Sequence, residues 1–206
     1  MEGLFESGGV QGILHRPDHP TGDALALTHG AGSNCQAPLL ARLARAFADA
    51  GVTVLRYDLP FRQQRPKGPP FPAAAARDRQ GVVEAVEALR PLATGRIFAG
   101  GHSYGGRQTA MAAAEAPGLV DGLLLLSYPL HPPAKPAQMR TAFFPDLRTP
   151  ALFVHGGKDP FASTAELQEA VKLIPAAVEL FEVEAAGHDL RGAERFAAAI
   201  LARLLR

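Results

Sequence analysis

Ser103 stands in the run Gly101-His102-Ser103-Tyr104-Gly105, with glycine two places before and two places after it. Glycines at those offsets let two backbones pass close together at a tight turn, where a side chain would collide. A serine presented this way can attack an acyl carbon once a base takes its proton, and the base needs an acid to hold its tautomer. Candidates for both partners follow: Asp159 in Gly156-Gly157-Lys158-Asp159-Pro160, and His188 after Gly187. Glycine fills 21 of 206 positions, so a serine so flanked arises by chance in about 5% of chains of this composition. The surrounding elements must carry the assignment.

Ile97-Phe98-Ala99 reads as a buried strand stopping at Gly100-Gly101, and a helix-like run of small residues begins at Gly106. Strand, strained turn and helix form the setting in which a G-x-S-x-G run exposes its hydroxyl above a sheet edge. The same alternation runs through the chain. Residues 1–22 read as two short strands or a hairpin, Ala24–Thr28 as a strand, and Pro38–Ala50 as a helix with apolar residues at helical spacing, stopped by Gly51. Val52–Leu55 is a β-branched strand. A proline-rich basic loop, 60–72, leads to a helix over Ala73–Leu89. Leu123–Leu126, Ala151–Val154 and Val178–Val183 read as further strands, with helices from Ser163 or Thr164 to Ile174 and from Ala193 to Leu205. Short apolar strands alternating with helices predict an α/β class: a mostly parallel sheet with helices on both faces, over one domain spanning 1–206. Sites in such sheets lie beyond the carboxyl ends of the strands. Those ends carry His29-Gly30-Ala31, Asp58, Ser103, Asp159 and His188.

Composition narrows the classes. The net charge of +1 gives no electrostatic case for nucleic acid. One cysteine, Cys35, cannot form an internal disulfide, which fits a reducing compartment. The first residues lack the basic start and apolar core of a leader, and no apolar run approaches the ~20 residues that span a bilayer. The expectation is a cytoplasmic protein, without membrane partner, acting as monomer or homodimer. The histidines His15, His19, His131 and His155 show no ligand spacing, so neither metal nor cofactor is expected.

The segments 101–106, 154–160 and 187–188 resemble the nucleophile, acid and histidine segments of the α/β-hydrolase superfamily, in its chain order of Ser, acid, His. His29-Gly30-Ala31-Gly32 resembles its oxyanion-loop motif. The likeness covers the chain from about residue 24 and is greatest to small, cap-poor members related to dienelactone hydrolases. Arg56-Tyr57-Asp58-Leu59-Pro60-Phe61 and its basic sequel resemble a branch that includes testis-expressed proteins and a histone-acetyltransferase complex subunit. The resemblance implies a serine hydrolase acting on a small acyl substrate through Ser103, His188 and Asp159, with the N–H groups of Ala31 and Tyr104 as oxyanion donors. His29 and Gly30 would shape that loop.

Each assignment has a plainer alternative. Asp-Pro opens turns, so Asp159 could merely cap the next helix. Yet no Asp or Glu follows Leu126 until Asp146, leaving the other usual place for the acid empty. His102 is expected to point away into packing. Arg62, Gln63, Arg65 and Lys67 read either as a solvated basic loop or as a border favouring an acidic substrate or partner. Tyr128–Thr149 is long enough for a flap, with Met139, Phe143 and Phe144 as apolar contacts, and too short for a cap domain. Two rival functions remain. One is a non-enzymatic interaction module on the same fold, since fold alone does not establish activity. The other is dinucleotide binding at Gly30-Ala31-Gly32 with Asp58, opposed by Cys35 where a third glycine or alanine is needed.

Overall fold

Alternating side chains along the central strands build two cores at once. In the computed structural model, which describes residues 1–206, β3 (Ala24–Thr28), β5 (Ile97–His102), β6 (Gly122–Leu126) and β7 (Ala151–Gly156) send successive residues to opposite faces. Ala24, Ala26, Ile97, Ala99, Leu123, Leu125 and Phe153 join one cluster. Leu25, Leu27, Phe98, Leu124, Leu126, Leu152 and Val154 join the other. A strand buried on both faces needs apolar residues throughout, which is why these segments read as continuous runs.

The full sheet adds β1 (Glu2–Ser7), β2 (Val10–His15), β4 (Thr53–Tyr57) and β8 (Val178–Val183) in the order β1-β2-β4-β3-β5-β6-β7-β8. All pairings are parallel except β1 with β2 and β2 with β4. Gly8 and Gly9 form the two-residue turn of the first hairpin, both at positive φ (57° and 83°), as such turns require. Helices α3 (Ala75–Leu89), α4 (Tyr104–Glu115) and α5 (Thr164–Ala170) cover one face. Helices α1 (Pro38–Asp49) and α6 (Ala197–Leu204) cover the other. The buried residues of α1, Leu40, Leu43, Ala44, Phe47 and Ala48, follow the spacing expected of a one-sided helix. No helix is long and apolar enough to cross a membrane.

Three expectations are revised. The strand β5 does not stop at Gly100-Gly101 but runs through them to His102. A Cβ on Gly100 would enter the Leu124 carbonyl and one on Gly101 the backbone of α4, so glycine here serves close packing within the strand. Helix α4 begins at Tyr104, two residues before the expected start, directly after the turn at Ser103. The proline-rich stretch after β4 opens with a short helix, α2 (Pro60–Gln64), started by Pro60 in a first-turn position that needs no N–H.

The segment 128–149 is anchored rather than free. Phe144 is wholly buried, packing on Tyr128 and Phe153 at ring-centroid distances of 5.4 and 6.3 Å. It belongs to the core, contrary to the expected flap contact. Only residues 133–139 form a continuous exposed span, which includes Met139.

Candidate active site

The turn between β5 and α4 sets Ser103 at φ 51° and ψ −115°, a conformation that costs a residue with a side chain of order 1–3 kcal/mol. The Ser103 N–H donates to the Leu126 carbonyl (2.8 Å), and its own carbonyl accepts from Arg107 N–H (2.9 Å). A Cβ on Gly105 would strike the His29 carbonyl and one on Gly106 the Gly101 carbonyl. Only glycine lets the helix start this close to the strands.

Ser103 Oγ lies 2.8 Å from His188 Nε2, and His188 Nδ1 lies 2.8 Å from Asp159 Oδ2. The Asp159 side chain is wholly buried, that of His188 about one-fifth exposed (22%). Asp159 Oδ1 accepts Phe161 N–H at 2.8 Å, so the carboxylate is held at both oxygens. The loops after β7 and β8 are stitched by main chain: Gly157 N–H donates to the Val183 carbonyl (3.2 Å) and Lys158 N–H to the Ala186 carbonyl (2.9 Å). Gly156 allows this approach, since a Cβ there would meet the Ala186 and Gly187 carbonyls. The Phe161 ring stacks on His188 at 4.1 Å and an interplanar angle of 30°, fixing the imidazole plane.

Across from Ser103 lies the loop after β3. A Cβ on Gly30 would come within 3.5 Å of Ser103 Cβ and 3.0 Å of His102 Nδ1, so the absence of a side chain opens the space over the serine. His29 is buried, and burial lowers its pKa, keeping the ring neutral. Its Nδ1 then donates to the Gly30 carbonyl (2.9 Å), while Nε2 accepts Leu59 N–H (3.2 Å). In a trans peptide C=O and N–H point opposite ways. The bond to the Gly30 carbonyl therefore orients the Ala31 N–H, which meets no acceptor within the chain. Tyr104 N–H, in the first turn of α4, is likewise without an intrahelical acceptor.

Arg62 departs from both expectations for the basic loop. It is buried, and its guanidinium donates to four carbonyls: Ser33 (2.6 Å), Arg65 (2.9 Å), Ala31 (2.9 Å) and Gly68 (3.0 Å). It is neither solvated nor free for an acidic ligand; it clamps the loop beside Ser103. Arg65 lies over the Phe71 ring at 4.3 Å.

His102 also differs from its expected outward packing. Its Nε2 donates to the His188 carbonyl at 2.7 Å, and the two rings lie 5.3 Å apart. Two further residues were not singled out from sequence. Asp78 of α3 is buried, accepting Phe61 N–H (3.0 Å) and the Tyr104 hydroxyl (2.7 Å). Phe61 stands between His29 and Tyr104, 5.6 and 5.7 Å from their rings. No spacing rule marks Asp78, which sits between Arg77 and Arg79 in an ordinary charged stretch. Asp58, the acid of the dinucleotide reading, accepts the Cys35 N–H at Oδ1 (2.6 Å) and so ties down the loop after β3.

A family model described as an alpha/beta hydrolase domain matches residues 21–200. The chain belongs to the alpha/beta hydrolase family. Solved structures of the same fold include an alpha-beta serine hydrolase homologue from Coxiella burnetii, 16% identical with a TM-score of 0.77, covering 99% of this chain and 97% of that one. Dienelactone hydrolase from Anabaena variabilis is 21% identical with a TM-score of 0.74, covering 100% and 94%. Est1E from Butyrivibrio proteoclasticus, solved with ferulic acid bound, is 16% identical with a TM-score of 0.78, covering 98% of each chain. The alpha/beta hydrolase fold is thus present over nearly the whole length and carries no large cap.

Proposed function

We propose that this alpha/beta hydrolase is a serine hydrolase that cleaves an ester, lactone or similar acyl bond of a small or exposed substrate. The observation that carries the reading is the continuous chain from Ser103 Oγ through His188 to the buried Asp159, each link 2.8 Å, on a serine held at positive φ at a helix start. Ser103 attacks the acyl carbon as His188 Nε2 takes its proton. Asp159 keeps His188 in the tautomer with hydrogen on Nδ1 and stabilises the imidazolium. The oxyanion accepts from the Ala31 and Tyr104 N–H groups, where one such donor is worth about 3 kcal/mol. His188 then returns the proton to the leaving group. Water, deprotonated by the same histidine, attacks the acyl-enzyme and regenerates Ser103. None of these steps calls for a cofactor.

Resemblance to a dienelactone hydrolase and to Est1E, solved with ferulic acid bound, supports small acyl substrates. So does the 128–149 segment, which is too short to bury a long chain. The rival, an interaction module on a hydrolase fold, requires none of these alignments.

A fluorophosphonate probe followed by peptide mass spectrometry tests the proposal. The expected result is an adduct on Ser103 that disappears in Ser103→Ala and in His188→Ala. A folded protein that takes no label would favour the interaction module.

A further inference from the structure

A cavity of about 540 Å³ lies between the loop after β3, the start of α1 and the loop after β8. Gly30 and His102 both line it. A Cβ placed on Gly30 would stand 3.5 Å from Ser103 Cβ and 3.0 Å from His102 Nδ1. One substrate atom at that point would touch the Ser103 side chain and the His102 ring together. The cavity thus adjoins the space over the serine.

Its rim carries charges of both signs, already paired. Arg42 meets Glu194 at 2.9 Å, and Arg191 meets Asp189 at 3.6 Å. His29, in the wall, has both ring nitrogens engaged by backbone groups. Pro38, Leu40 and Leu190 supply apolar surface. An apolar wall under balanced charges suits a neutral group, oriented by whichever polar atom is left free.

That atom is His102 Nδ1. A carbonyl oxygen only accepts, so Nε2 carries the hydrogen in its 2.7 Å bond to the His188 carbonyl. Burial lowers the His102 pKa, so the ring is neutral and Nδ1 holds a bare lone pair. Nδ1 has no partner within the chain and is not sealed off from solvent. Only what enters the cavity can donate to it.

We propose that this cavity receives a short, neutral, hydroxyl-bearing group of the acyl substrate, and that His102 Nδ1 accepts the hydrogen bond from that hydroxyl. His102 then determines specificity from the residue next to Ser103. The inference rests on the hydrolase reading above. Both halves of an ester, acyl and alcohol, can carry such a hydroxyl, and the test separates them.

Hydrolysis followed by pH-stat gives kcat/KM for two pairs of esters, each pair differing by a hydroxyl in place of a methyl group. Methyl 3-hydroxybutyrate against methyl 3-methylbutyrate probes the acyl half. The alcohol half is probed by 2-hydroxyethyl butyrate against propyl butyrate. In His102→Phe the hydroxyl-to-methyl ratio should fall about fivefold or more for one pair, the cost of burying a hydroxyl without its acceptor. The pair that responds names the half. A general loss of activity cancels in the ratio. Ratios unchanged for both pairs overturn the subsite and leave the hydrolase reading standing. Should His102→Phe fail to fold, nitrogen-15 NMR of histidine-labelled wild type serves instead. N,N-dimethyl-3-hydroxybutyramide, an amide that resists hydrolysis, should shift the His102 Nδ1 resonance more than N,N-dimethyl-3-methylbutyramide does. Equal responses overturn the subsite. If wild type neither hydrolyses ester nor takes the fluorophosphonate label, the hydrolase reading fails, and the same spectra decide the cavity separately.

Discussion

The Tyr104 hydroxyl donates to Asp78 Oδ2 across 2.7 Å, tying the residue after Ser103 to a buried carboxylate in the first turn of α3. Burial, followed by the Asp78 bond and charge, raises the Tyr104 pKa, so the phenol stays a donor. Tyr104→Phe should remove one of the carboxylate's two partners and lower stability by about 1–3 kcal/mol, the cost of leaving a buried group underpartnered. Urea unfolding measures it. A midpoint equal to wild type would show that the pair contributes nothing.

Arg62 holds the carbonyls of Ala31 and Ser33 from below. Arg62→Ala should lower kcat more than it raises KM, because the disturbed loop presents the proposed oxyanion donor rather than ground-state contacts. Arg62→Lys should fail to rescue, since an ammonium cannot span four acceptors with a planar fork. Recovery of full activity by lysine would reduce Arg62 to a charge.

Stability should fall on the acid side of neutrality. Burial lowers the pKa of His15, His29, His102 and His155 below the usual 6.5. Each ring is neutral in the fold, while the unfolded chain protonates near 6.5. The neutral rings' contribution is therefore fully present above pH 6.5 and is lost as pH drops from there toward the folded-state values. Thermal melts between pH 8 and 5 should show the midpoint declining below about 6.5, and less so for His155→Gln. A flat midpoint through that window contradicts the assignment.

Cys35 is buried, and burial, then the Asp58 charge, pushes its thiol up to about 12. It should resist iodoacetamide at pH 8 in the folded protein and react once unfolded, because only the thiolate is nucleophilic. Alkylation of the native protein, counted by intact mass, would place the thiol elsewhere.

Much of the framework was readable from the residues because local pattern and global position agree. Leu123–Leu126 is apolar throughout since both its faces are covered, and Ser103, Asp159 and His188 each follow a strand. The misreadings share a cause: side chains whose role depends on distant backbone. Arg62 looks like any loop arginine until carbonyls 31 and 29 residues earlier in the chain converge on it. His102 meets its acceptor, the His188 carbonyl, 86 residues away. The strand through Gly100 and Gly101 was cut short because glycine usually signals a turn, and only the Leu124 carbonyl beside it explains its presence within the sheet.

The stitching of Gly157 to Val183 and Lys158 to Ala186 puts the acid and the histidine on one shared frame. The exposed span 133–139 lies outside that frame, bounded by the buried Leu130 and Phe144. The exposed span and that frame are therefore separable parts. A longer graft between Pro133 and Met139 would leave the Asp159–His188 alignment unchanged.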